Sequence, residues 1–112
     1  MKRDLDRIRE ILVMVENAEG FVDFQTPHDA HQVAIMHDAG LLQAQLYMDD
    51  NRGLVGAMVV RLTWLGHDFV SVSRNPSVWS KTKEKVQNAG WTWTLDLLMK
   101  VMERLASQAL GL

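Results

Sequence analysis

Between positions 28 and 38 the chain carries His28, Asp29, His31, His37 and Asp38, residue types that bind metals or move protons. A zinc-type site needs three or four such ligands converging on one point. His28 and His31 stand one helical turn apart, but His37 lies about 9 Å further along a helix rising about 1.5 Å per residue. The group therefore reads as solvated histidines at a helix start, and no metal ligand is assigned. His67, within Gly66-His67-Asp68, reads as a hydrogen-bonding residue of the fold. There is no nucleophile elbow, no phosphate-cradling glycine loop and no carboxylate pair in a suggestive setting; Asp49-Asp50 is turn chemistry. The expectation is a chain that is not an enzyme and takes no cofactor.

Two other residue sets bear on binding. Arg52, Arg74, Lys81, Lys83 and Lys85 are the cations available to face phosphate, and Lys81 and Lys85 share a helix face at i, i+4. The plainer reading is a solvated face diluted by Glu84. Charge is unevenly spread: Gly20 to Asn51 holds five Asp and no Lys or Arg, whereas Arg52 to Lys100 holds seven basic residues against Asp68, Glu84 and Asp96. The second set is apolar. Leu97, Met99, Val101, Met102, Leu110 and Leu112 broaden the stripe of the last helix beyond one-sided packing, and contiguous apolar surface with adaptable Met side chains marks interfaces. The alternative is that this stripe closes inside the monomer. Trp91 and Trp93, two apart, face opposite sides if extended, one for the core and one for a contact.

The elements that must position these residues follow from periodicity. Leu5, Ile8, Ile11, Leu12 and Val15 make one face of a helix from about Arg3 to Asn17, with Val13 and Met14 widening it. Phe21 to Phe24 reads as a short strand. Thr26-Pro27 is a cap and first-turn signal for a second helix to about Asp38, burying Ala30, Val33, Ala34 and Met36. Gly40 supplies a left-handed stop, and Leu41 and Leu42 fold back onto the core. Ala44, Leu46 and Met48 alternate with Gln43, Gln45 and Tyr47; Asp49 to Gly53 is a turn; Leu54 to Leu62 returns as a strand covered on much of both faces. Thr63 caps a third helix with Leu65, Phe69 and Val72 inward, and Gly66 allows a close backbone approach. Asn75-Pro76 opens a fourth helix that Gly90 closes, with Val78, Trp79 and Val86 apolar. Thr94 caps a fifth, whose inward row is Leu95, Leu98, Met99, Met102, Leu105, Ala106 and Ala109. Helix stop, hairpin and helix restart trace the chain path of a winged helix. The expected fold is α+β, a winged-helix-like, helix-turn-helix-related domain with a β-hairpin wing and two additional C-terminal helices. One domain is expected over residues 1–112, with a wing core at 3–74 and a helical pair at 75–110.

In such a fold the helix in the recognition position is Pro27 to Asp38. It is expected to offer His28, Asp29, His31, Gln32, His37 and Asp38 to solvent, with no Lys or Arg. Duplex affinity rests on neutralising phosphates, and uncompensated Asp29 and Asp38 oppose it; Gln32 alone could pair with adenine. The segment before this helix is also too short for the usual intervening helix.

Met1 to Leu12, Asp38-Ala39-Gly40-Leu41-Leu42, Leu62 to Phe69 (Leu-Thr-Trp-Leu-Gly-His-Asp-Phe) and Val78 to Val86 come in the order of a known family. Over almost its whole length the chain resembles domain of unknown function 2513, a bacterial and prophage family. The resemblance implies a winged, helix-turn-helix-like fold and brings no catalytic residues. The functional expectation is a non-enzymatic protein-interaction module, homodimeric through the final helix. The alternative is a DNA-binding regulator using the wing and the Lys81–Lys85 helix. With no cysteine, a charged N-terminus unlike a signal peptide and no apolar run near the roughly 20 residues that cross a bilayer, a cytoplasmic protein without a membrane partner is expected.

Overall fold

Asp4 starts the first helix, its carboxylate accepting from the Arg7 N–H at 3.1 Å. In the computed structural model, which describes residues 4–89 and 95–109, α1 spans Leu5–Asn17 and buries Ile8, Ile11, Leu12 and Val15. Met14, expected to widen the buried face, is exposed instead. The chain continues through β1 (Val22–Phe24), α2 (Pro27–Asp38), β2 (Leu42–Asp49) and β3 (Gly53–Leu62). It ends in α3 (Trp64–Ser73), α4 (Pro76–Ala89) and α5 (Leu95–Ala109). Gly90, Trp91, Trp93, Thr94, Leu110 and Leu112 lie outside the described residues.

The three strands form one antiparallel sheet in the order β1-β3-β2. This α+β architecture is compatible with a winged-helix-like fold, with one helix instead of two between the first strand and the hairpin. Asp49 ties the hairpin turn, its Oδ1 accepting from the N–H groups of Asn51 (2.9 Å) and Arg52 (3.1 Å). Those two donors hold the Asp49 carboxyl below its ordinary range. Gly53 follows at φ 75°, a left-handed conformation that glycine adopts without a steric penalty.

Apolar β3 owes its composition to its central place between β1 and β2. Gly56, Ala57, Val59 and Leu62 are buried, whereas Val60 is exposed, so two-sided cover is incomplete. Met48 alternates with Gln43, Gln45 and Tyr47 as Ala44 and Leu46 do. It is 71% exposed, beside the hairpin turn at Asp49, and the register with β3 shifts between Tyr47 and Met48, where β3 inserts Val55.

Packing groups the chain into two compact units, Met1–His67 and Asp68–Leu112, divided within α3. In the first, α1 and α2 cover the sheet. In the second, α4 packs along α5, and Phe69 meets Trp79 edge to face with ring centroids 5.9 Å apart. Asn75 caps α4 by accepting from the Ser77 and Val78 N–H groups. No helix among the described residues is long and apolar enough to cross a membrane.

The turn after α2 and the start of α3 meet backbone to backbone. Gly40 sits at φ 81°, and the Leu41 N–H donates to Met36 O at 2.9 Å. Thr63 N–H donates to Leu41 O at 3.1 Å, and Thr63 Oγ1 donates to Gly40 O at 2.5 Å while accepting from the Gly66 N–H at 3.2 Å. A Cβ on Gly66 would run into the Leu41 carbonyl oxygen. Helix α3 therefore presents Gly66, Phe69, Val70 and Ser73 inward; the expected stripe of Leu65, Phe69 and Val72 is rotated, and Leu65 is exposed. Gly66→Ala should cost about 1–3 kcal/mol of stability, since backbone must move. Gly20→Ala, with open space around it, should stay within about 0.5 kcal/mol. Urea unfolding of both variants reads the difference.

Candidate functional site

The N-terminal half of α2, where a reading helix would meet DNA, is tied to α1. Thr26 Oγ1 accepts from the Asp29 N–H at 3.2 Å. Arg7 grips the Asp29 carboxylate with two parallel bonds, Nε to Oδ1 at 2.8 Å and Nη2 to Oδ2 at 2.9 Å, and reaches Glu10 Oε2 at 3.0 Å. The guanidinium holds the Asp29 carboxyl below its usual range, and the two carboxylates raise the Arg7 pKa in return. Asp29 is thus compensated, contrary to expectation. The expectation for Gln32 also fails: it is fully buried, and its Oε1 accepts from the Asp4 N–H at 2.9 Å. Helical spacing puts Gln32 beside Val33 and Met36, so the amide serves the α1 terminus and has no route to a base edge.

The histidines do not converge. His28 Nε2 lies 3.1 Å from Asp4 Oδ2, His37 Nδ1 lies 3.4 Å from Leu42 O, and His67 Nδ1 lies 3.3 Å from Glu16 Oε2. Among the described residues no group of three or more His, Asp or Glu could hold a metal ion.

The cationic set is dispersed. Arg52 stands exposed at the hairpin tip, 3.5 Å from Asp49, and lines an open hollow of about 470 Å³ with Asp23, Tyr47, Val55 and Gly56. The Tyr47 ring lies against Gly56, where a side chain would crowd it. Arg74, Lys81 and Lys85 are exposed, the last two on one face of α4. Lys83 is half-buried, its Nζ 5.9 Å above the Trp79 ring, a cation–π contact rather than a free phosphate ligand.

The proposed interface on α5 also changes. Met102 is fully buried and Met99 nearly so, because α4 consumes the stripe within the second unit. Val101 is half-buried, Leu97 remains exposed, and Leu110 lies outside the described residues.

The sequence reading missed the first residue of α3. Trp64 is 86% exposed, the most solvated large apolar side chain among the described residues, followed by Met48 and Phe21. It stands over an open hollow of about 490 Å³ lined by Arg61, Leu62 and His67. Arg61 is oriented there by bonds from Nε to Gln43 Oε1 (3.0 Å) and from Nη1 to Leu62 O (3.3 Å). A signal was available: Trp64 precedes Gly66 by two residues, about 200° around a helix. If Gly66 faces inward, Trp64 faces out.

The Arg7–Asp29 pair makes stability pH-dependent. Asp29 has a depressed folded-state pKa, so its contribution is complete well above the unfolded carboxylate value. It is lost as pH falls through that value and on through the lower folded one. Asp29→Asn should destabilise by about 1–2 kcal/mol at pH 7 and flatten the acid limb below about pH 4, measured by urea unfolding across pH.

Comparison with known proteins agrees with the resemblance read from the motifs. The family model described as "Hypothetical protein (DUF2513)" matches residues 2–92. A Haemophilus influenzae protein (strain ATCC 51907 / DSM 11121 / KW20 / Rd) named "Uncharacterized protein" is 29% identical over 120 residues, covering 99% of this chain and 100% of that one. No solved structure matches. With most of its length matched in family order, the chain belongs to the DUF2513 family.

Proposed function

We propose that this chain is a non-enzymatic, cytoplasmic protein-interaction module on a winged-helix-like scaffold of prophage type. The observation that carries the reading is Trp64, 86% exposed beside an oriented Arg61. Trp and Arg dominate the energetics of protein interfaces, and a well-packed fold leaves a lone tryptophan this wet at a cost in apolar hydration. Met48 and Phe21 add exposed apolar area in the same unit. The absence of cysteine supports the compartment.

The second reading, a DNA-binding regulator, draws on exposed Arg52 at the hairpin tip and on Lys81 and Lys85 along α4. Against it, α2 presents no cation, Asp38 stays exposed, and the neighbouring Arg7 is occupied by Asp29 and Glu10. A gel shift with mixed-sequence duplex at about 50 mM salt separates the readings. The interaction module gives no retention at micromolar protein; retention that falls steeply with salt overturns it. A photo-crosslinking amino acid at position 64 should capture protein in cells, with a nucleic-acid adduct alone as the contrary result.

A further inference from the structure

Strand β2 (Leu42–Asp49) forms one border of the sheet, with β3 on one side and, among the described residues, no strand on the other. Native sheets defend long borders with lysines, prolines, bulges or short strands. Here none of these is present. From Leu42 to Met48 the strand reads Leu-Gln-Ala-Gln-Leu-Tyr-Met, without charge or proline. Both register irregularities insert their extra residue, Val60 and Val55, into β3, so β2 itself runs unbroken. The opposite border, β1, is only three residues long. Among the described residues no backbone group of Gln43 to Met48 is bonded on the outer side; His37 meets the border at Leu42 O.

We infer that β2 pairs antiparallel with β2 of a second copy of this chain, joining two three-stranded sheets into one across a two-fold axis at Gln45. This deepens the interaction reading, on which it rests, by naming one partner. The strand is self-complementary in that register. Gln45, the midpoint of the uncharged segment, meets its own copy, and exposed Gln43 meets Tyr47 of the second copy. On the other face half-buried Ala44 meets Leu46 of the second copy. Asp49 is carried to the far end, opposite Leu41 of the second copy, so the acidic turns of the two chains never face each other. A rival occupant, a peptide from another protein, would need neither this symmetry nor the separation of the two acidic turns. An interface of one strand pair falls near or below about 1,000 Å², the size class of weak, reversible associations.

Sedimentation velocity on the full chain over a dilution series tests this. The expected result is a shift from monomer to dimer mass with concentration. Gln45→Lys and Gln45→Glu, each placing like charges face to face, should each weaken dimerisation at least tenfold, and their equimolar mixture should restore it. Thermal melts confirm that each variant folds. The chain has no cysteine, so Gln45→Cys reports alone: directly opposed positions about 4.5–5.5 Å apart at Cβ should join on mild oxidation, while Asn51→Cys at the turn should not. A monomer mass at every concentration overturns the inference, as does a dimer indifferent to charge at position 45. Crosslinking from position 64 persists in Gln45→Lys, so failure here differs from failure of the interaction reading itself.

Discussion

At the junction of Gly40, Leu41, Thr63 and Gly66 four elements of the first unit converge on a few backbone atoms. The Leu41 carbonyl receives the Thr63 N–H, and the absent side chain of Gly66 leaves room for the same oxygen. Leu41 is fully buried, and its own N–H reaches back to Met36. End of α2, entry of β2, exit of β3 and first turn of α3 are therefore held together by bonds among Leu41, Thr63, Gly40 and Gly66. A buried carbonyl without a partner would cost more than most side-chain contacts supply. This contact also sets the rotation of α3, and with it the outward direction of Trp64.

Helix α2 illustrates how a position in the chain path differs from a role. Its place after β1 invites comparison with a DNA-reading helix, yet its polar residues are turned to internal use. Gln32 closes the α1 terminus, Thr26 caps α2, and Asp29 is spent on Arg7. Charge that was expected to repel phosphate is neutralised locally, and the cation that neutralises it is thereby withdrawn from any ligand. Elsewhere Lys83 lies over an aromatic ring, and Arg52 shares its turn with Asp49.

Apolar exposure tells a parallel story. Much of the broad stripe of α5 is absorbed by α4, with Leu98, Met99, Met102 and Leu105 buried and Leu97 left exposed. The most exposed large apolar side chains among the described residues are Trp64, Met48 and Phe21, near ends of elements, where alternation and helical period carry little information.

Much of the fold was legible because its signals are local. Thr26-Pro27 and Asn75-Pro76 start helices, Asp49 folds its own turn, and Gly40 and Gly53 take left-handed backbone, each through atoms within four residues. The apolar period of α1 likewise named Ile8, Ile11, Leu12 and Val15. Burial of Gln32, pairing of Arg7 with Asp29 and rotation of α3 depend on segments separated along the chain. By itself the amino-acid order determined where elements begin, end and turn, because those choices are made by dihedral preferences and short-range hydrogen bonds. Only the tertiary structure decided which polar groups are consumed inside and which apolar ones are left to water, because that outcome is settled by packing between distant surfaces.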